Sequence, residues 1–294
     1  MQNTEKTYVL GIDIGSTTVK IAILDGNHDV VFSDYRRHYA NIQGTLAAQL
    51  SDAFEKIGEV NIIPMITGSG GLTLSKHLKS TFVQEVVAVA TALKAVAPQT
   101  DVAIELGGED AKIIYFTGGI DQRMNGICAG GTGSFIDQMA SLLQTDAIGL
   151  NEYAKSYKSI YPIAARCGVF AKTDVQPLIN EGATREDLSA SIFQAVVNQT
   201  ISGLACGKPI RGHVAFLGGP LHFLSELKQA FIRTLNLTDE YIVDPDNSHL
   251  FAAIGSALNC ESKDSMIGIS DLIKKLREGI KMEHEVARLE PLFK

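Results

Sequence analysis

The sequence predicts an α/β protein of two lobes, each built on a strand, a glycine turn and a second strand. The first ground is a repeat: Gly11-Ile-Asp-Ile-Gly-Ser-Thr-Thr-Val-Lys20 is echoed by Ile104-Glu-Leu-Gly-Gly-Glu-Asp-Ala-Lys112, so that Asp13 falls on Glu105, Gly15 on Gly107 and Lys20 on Lys112. The second is the order of patterns after the first copy, strands and then helix, strand, helix, which is how one lobe of an α/β protein is assembled. The third is size, since 294 residues with 45% apolar and 20% charged side chains suffice for two lobes with substantial cores.

Composition also excludes. No apolar run approaches the roughly 20 residues of a membrane span. The N-terminus lacks the apolar region of a signal peptide, so a cytoplasmic location without a membrane partner is expected. A net charge of −7 with no basic cluster argues against nucleic acid. Cys128, Cys167, Cys206 and Cys260 are too few and too scattered for a secreted disulfide framework; in a reducing compartment they are buried small side chains, nucleophiles or metal ligands.

Along the chain, Tyr8 to Ile14 and Val19 to Leu24 read as a hairpin, with a third strand from Val30 to Asp34. Ile42, Leu46, Leu50, Phe54 and Ile57 recur at helical spacing and predict an amphipathic helix from Asn41 to Ile57. Asn61 to Thr67 reads as a strand ending in the turn Gly68-Ser-Gly-Gly71, and Glu85 to Ala97 as a helix stopped by Pro98. After the second hairpin, Met124-Asn-Gly-Ile-Cys-Ala-Gly-Gly-Thr-Gly-Ser-Phe135 leads into a helix from Ser134 to Gln144. Ile160 to Ala164 suggests a strand, Val169 to Asn180 a helix, and Thr184 with Asp187 a capping box for a helix reaching about Leu204. A strand from His213 to Leu217 runs into Gly218-Gly-Pro220, followed by a helix to Leu235, a strand at Tyr241 to Val243 and a small-residue helix from Ser248 to Asn259.

This order divides the chain into lobe I at 1–98 plus 248–260, lobe II at 99–247, and a tail at 261–294. The tail reads as one or two peripheral helices or, equally, as a linker to the downstream region of a longer protein.

The chemistry follows from the repeat. A carboxylate at the end of a buried strand, followed at once by a glycine turn, sets negative charge beside exposed N–H groups, which suits a metal-bound phosphate. Two such turns facing each other would clamp a nucleotide. Either copy alone reads equally as an ordinary hairpin with a glycine turn; duplication with both acids retained favours the nucleotide. Asp13, Glu105 and Asp110 are assigned to Mg²⁺ and its waters. Gly15, Ser16, Thr17, Lys20, Gly107, Gly108 and Glu109 are assigned to the phosphates of ATP or ADP. Gly131, Thr132 and Gly133 join them, because glycines before a helix let the chain approach an anion at the free N–H groups of its first turn. Asp34, Asp137 and Asp174 read as caps or solvated charge. His28, His38, His77, His213, His222 and His249 are scattered singly. No Gly-x-x-x-x-Gly-Lys-Ser/Thr is present, and no Gly-x-Gly-x-x-Gly opens a helix after the first strand, which disfavours a P-loop or a Rossmann site.

Two strand-turn-strand loops plus the late Gly218-Gly219 turn resemble the layout of the actin, sugar kinase and heat-shock ATPase superfamily, with duplicated ribonuclease H-like domains. That layout places Gly218 and Gly219 on the adenosine side. More specifically, Gly11 to Lys20, Glu105 to Lys112, Met124 to Phe135 and Ala165-Arg-Cys-Gly-Val-Phe-Ala171 resemble the BadF/BadG/BcrA/BcrD ATPase family, and within it the activators of 2-hydroxyacyl-CoA dehydratases. The resemblance spans about residues 7 to 260. It implies a homodimer with one 4Fe-4S cluster at its interface, ligated by Cys128 and Cys167 of each subunit. It further implies a ferredoxin or flavodoxin as electron donor and a CoA-ester dehydratase or reductase as partner, with ATP hydrolysis driving the transfer. Cys206 and Cys260 match no family ligand, and burial in helices accounts for them.

Two departures stand out. Glu105 and Glu109 occupy the Asp and Gln positions of the commoner Asp-Ile-Gly-Gly-Gln-Asp form, and the helix from Glu85 lacks the histidine many activators carry. Lys172 to Gly182 resembles the corresponding module of larger multidomain relatives. The competing readings are a small-molecule kinase of the N-acetylhexosamine type, for which no base aspartate is evident, and a nucleotide-switched interaction module without hydrolysis.

Overall fold

A computed structural model describes residues 7–125, 130–164 and 168–279. Cys128 and Cys167 lie outside the described residues, and so do the last 15 positions of the predicted tail, 280–294.

The first half runs β1 (Thr7–Ile14), β2 (Thr18–Leu24), β3 (Val30–Arg37), α1 (Ile42–Ile57), β4 (Asn61–Thr67), α2 (Gly71–Leu78), β5 (Thr81–Phe82) and α3 (Glu85–Val96). The second runs β6 (Val102–Leu106), β7 (Ala111–Tyr115), β8 (Asp121–Met124), α4 (Gly133–Leu142), α5 (Ala147–Ala154), α6 (Gly168–Asn180), α7 (Arg185–Thr200), β9 (Val214–Leu217), α8 (Gly219–Phe223), α9 (Ser225–Leu235) and β10 (Ile242–Val243). The chain then adds α10 (Phe251–Leu258), β11 (Ile267–Gly268) and α11 (Ile269–Glu278).

Both halves pair their strands in one plan. In the first sheet β1 is antiparallel to β2, β2 to β3, and β1 parallel to β4, with β5 parallel beyond. In the second, β6 is antiparallel to β7, β7 to β8, and β6 parallel to β9, with β10 parallel beyond. The two-lobed, actin-like expectation is therefore met as a duplicated strand order. Each central strand carries a near-continuous apolar run, Leu10, Ile12 and Ile14 or Val102, Ala103 and Ile104, because helices cover both faces.

Between the sheets lies a third core made by α3 and α10, which pack together against β2 of one sheet and Ala103, Ile114 and Leu217 of the other. These helices cross very closely. A Cβ at Gly255 would sit 1.7 Å from the Ala88 carbonyl oxygen, so no larger residue fits that crossing.

Several sequence expectations are revised. Residues Ile267 and Gly268 pair with β4, and α11 buries Ile269, Leu272 and Leu276 in the first lobe's core, so this stretch packs into the first lobe. Residues 160–164 form no strand; Asp187 accepts the N–H groups of Lys158 and Ser159, Ser191 Oγ accepts that of Tyr161, and Asp174 that of Ala164. Thr184 caps α7 by accepting the Asp187 N–H, but Asp187 turns to residues 158 and 159 and closes no reciprocal box. Cys206 is exposed and Cys260 half-buried just past α10, so neither rests inside a helix. His222 and His249 are not scattered singly, since their rings stack with centroids 3.9 Å apart. No helix among the described residues is long and apolar enough to cross a membrane.

Candidate active site

The two hairpins bring their turns to the same cleft. In the first, Asp13 pairs with Lys20 across the ladder; in the second, Glu105 pairs with Lys112 at the equivalent rung. The loops touch: a Cβ on Gly108 would meet Thr17 Oγ1 at 2.2 Å, so Thr17 rests on bare backbone of the facing lobe. Around this contact opens a cavity of about 490 Å³.

Gly15, Ser16 and Lys20 line it from the first loop, and Glu105, Gly107, Gly108, Glu109 and Asp110 from the second. Gly218 closes one side. Five further residues line it that the sequence reading did not assign: the polar Thr18, Ser69 and Glu85, and the apolar Leu106 and Met124. Ser69 follows Gly68, whose backbone closes over Asp13; a Cβ there would lie 2.4 Å from Asp13 Oδ1. Asp13 itself sits beneath the floor, only 1% exposed.

Other assigned residues are placed beside the cavity. The first-turn N–H groups of α4, at Gly133 and Ser134, donate to the carbonyls of Gly107 and Gly108 at 3.0 and 2.7 Å. They brace the second loop and are not turned to the cavity as free donors. Thr132 is fully buried, and Gly131 packs toward Gln199 and Thr200 of α7. Gly219 faces a separate hollow, where the Tyr35 hydroxyl lies 2.3 Å from the position of its absent Cβ. On the far side of the first loop, His38 accounts for its shape: its N–H donates to the Thr17 carbonyl and its Nε2 lies 3.2 Å from the Gly15 carbonyl.

The electrostatics are concentrated. Lys20 Nζ donates to Asp13 Oδ2 at 2.6 Å. Burial disfavours its charge, yet Asp13 outweighs that and raises its pKa. Lys112 Nζ is shared by three carboxylates: Glu85 Oε1 at 2.6 Å, Asp110 Oδ2 at 2.5 Å and Glu105 Oε2 at 3.8 Å. Burial pushes the Glu105 carboxyl up against the opposing pull of Lys112, whereas Asp110, more open, is held down by that lysine despite its own burial. Burial, then the nearby Glu105, lifts Glu85 to about 7.

Four acids against two lysines leave an excess of negative charge. Asp13 Oδ1 and Glu105 Oε2 are buried without a hydrogen-bond partner, a state that costs free energy unless something positive faces them. They fit a divalent cation. Among the described residues no three His, Cys, Asp or Glu side chains converge as a protein-only cage. Hard carboxylate oxygens such as Asp13 Oδ1 and Glu105 Oε2 are the donor type Mg²⁺ takes, alongside waters and substrate phosphate oxygens.

The chain is similar in sequence and in structure to known proteins. The chain is 29% identical over 277 residues to the 2-hydroxyisocaproyl-CoA dehydratase activator of Clostridioides difficile, covering 90% of this chain and 100% of that one. It is 32% identical over 211 residues to the activator of lactoyl-CoA dehydratase of Anaerotignum propionicum, covering 70% and 78%. In structure it is similar to the activator of the 2-hydroxyisocaproyl-CoA dehydratase from Clostridium difficile with bound ADPNP, with a TM-score of 0.76 and 26% identity over 94% of this chain and 99% of that one. The ethanolamine utilization protein EutJ of Carboxydothermus hydrogenoformans, at 15% identity and a TM-score of 0.53, shares the fold. Paired acidic loops on a duplicated sheet, and a family match that runs over residues 10–259, lead to one conclusion: the chain belongs to the BadF/BadG/BcrA/BcrD ATPase family.

Proposed function

We propose that this chain hydrolyses MgATP to activate a 2-hydroxyacyl-CoA dehydratase or a related CoA-ester reductase. The observation that carries the reading is the cavity between two duplicated loops, with Asp13 Oδ1 and Glu105 Oε2 buried beneath it without a hydrogen bond. In this reading Asp13, Glu105 and Asp110 hold Mg²⁺ and its waters. Gly15, Ser16, Lys20, Gly107 and Gly108 meet the phosphates, with Thr17 and Glu109 at the loop edges. The α4 start at Gly131, Thr132 and Gly133 keeps the second loop in shape. Gly218 lies toward adenosine, with Gly219 behind it at the lobe contact. Terminal phosphate binds both loops at once, so its presence or loss favours different angles between the lobes.

The redox half rests on Cys128 and Cys167. The described residues beside them support a shared location: Gly168, next to Cys167, lies against Gln138 of α4, the helix that the Cys128 segment enters. Val169 and Phe170 there are 70% and 64% exposed, an apolar surface suited to a second copy of the chain. A 4Fe-4S cluster bridging two subunits would supply one-electron chemistry at this face, with a reduced ferredoxin or flavodoxin as donor.

Anaerobic purification with iron and sulfide counting tests this, together with a phosphate-release assay. We expect roughly two irons per chain, lost in Cys128→Ser and Cys167→Ser while hydrolysis persists. Iron content unchanged in both variants removes the redox half; absence of phosphate release removes the ATPase.

A further inference from the structure

We infer that Glu85 is a catalytic residue of the hydrolysis, holding the attacking water against the terminal phosphate from the lobe opposite the second phosphate loop. The inference rests on the ATPase reading above.

Glu85 is the first residue of α3 and belongs to neither hairpin. Of the acids lining the cavity, Glu105, Glu109 and Asp110 all come from the second loop, so Glu85 supplies the one carboxylate reaching in from the first lobe. Asp13 and Glu105, whose buried Oδ1 and Oε2 have no hydrogen bond, are matched to the cation together with Asp110, which also pairs with Lys112. Glu85 is held from the other lobe. Its Oε1 accepts from Lys112 Nζ at 2.6 Å, which tethers the carboxylate at the cavity wall, while 25% of its side chain stays open.

An acid at a helix start ordinarily serves the helix dipole. That role does not account for a side chain turned across the cleft to a buried lysine of the other sheet. Position does: a nucleotide whose phosphates lie on the glycine loops presents its terminal group between the hairpins, and a water on the outer side of that group needs a fixed acceptor. Phosphoryl transfer to water asks mainly for such positioning.

In the step, the water oxygen bonds to the terminal phosphorus, and the bond from that phosphorus to the bridging oxygen breaks with its electron pair remaining on ADP. The water proton passes through Glu85 to the released phosphate, so no redox partner is involved. The charged groups facing Glu85 are Lys112 on β7, Glu105 on β6, Asp110 in the second turn and Asp13 on β1. Because its anchor Lys112 sits on the second lobe, Glu85 is aligned only when the lobes are closed, which ties hydrolysis to the lobe angle.

The test uses the whole chain with MgATP in single-turnover phosphate release, alongside equilibrium binding of a non-hydrolysable ATP analogue and thermal unfolding. Phosphate release by the unmodified chain decides the ATPase reading itself. Given that activity, Glu85→Gln is expected to slow the chemical step about 100-fold or more, with analogue affinity within about threefold and the unfolding temperature little changed. Glu85→Asp, which keeps the charge beside Lys112, is expected to lose about tenfold and guards against a misfolded amide variant. Hydrolysis by Glu85→Gln within threefold of the unmodified chain overturns the inference. So does a parallel loss of analogue binding and rate in both variants, which would mark Glu85 as a structural counter-ion of Lys112.

Discussion

The two hairpins share a register and differ in wiring. Lys20 reaches along its own ladder to Asp13 and stays within the first lobe. Lys112, at the equivalent rung, takes Glu85 from the other lobe in addition to Asp110 and Glu105 of its own. The first loop is therefore a self-contained fixture, braced from behind by His38. The second is tied across the cleft. Duplication reproduced the backbone and the acid-lysine pair, while the surroundings left one lysine inside its own lobe and tied the other to Glu85 across the cleft.

The largest expected effect falls on the acids. Asp13→Asn and Glu105→Gln should each lower phosphate release by roughly 100- to 1,000-fold, because each removes charge facing the cation. Equal losses would support one metal served from both sides; a loss confined to one variant breaks the symmetry of the comparison. The lysines come next. Removing Lys112 as Lys112→Met strands three carboxylates in a buried place, at a cost of about 3 kcal/mol, whereas Lys20→Met strands one. Denaturant unfolding that ranked Lys20→Met as the worse would show that the cross-cleft tie contributes little.

The smallest effect is in pH. Glu85 has a folded-state value of about 7 against 4.5 when free, so the stability tied to its proton is present below pH 4.5 and is lost as pH rises through 7. The stability of Glu85→Gln relative to the unmodified chain should therefore improve across that window. No change in the difference between pH 4.5 and 7 would mean that Lys112 holds Glu85 ionised throughout.

Much of the fold was legible because burial imposes period. The strands at Tyr8 to Ile14 and Asn61 to Thr67 and the helix ending at Ile57 came within a residue of their observed limits, since their apolar positions are covered from both sides or along one stripe. The helix Gly71–Leu78 was missed because its glycine-rich start reads as a turn, and the helix expected from Leu221 to Leu235 is broken at Leu224 into two. The stretch at residues 160–164 has strand-like composition, but Ser191 and Asp174 accept the N–H groups of Tyr161 and Ala164 in place of a neighbouring strand.

The site divides in the same way. The acids of the loops were visible because their roles depend on their own turn: carboxylate, glycine and lysine stand at fixed spacing in each copy. Glu85, Ser69 and His38 carried no local signal, since each acts on residues distant in the chain. A weak trace of Glu85 existed, a lone acid opening an otherwise apolar helix shortly before the second loop.

By itself, then, the sequence determined the doubled hairpin, its paired charges and the lobes that bury it, because hydrophobic period and turn chemistry are local properties. Tertiary structure decided which lysine spans the cleft, that Thr17 rests on Gly108, and that the α4 start braces a loop instead of facing the cavity. Those outcomes depend on how two sheets are set against the α3 and α10 core, and charges brought together by that packing have no signature in the spacing of either partner.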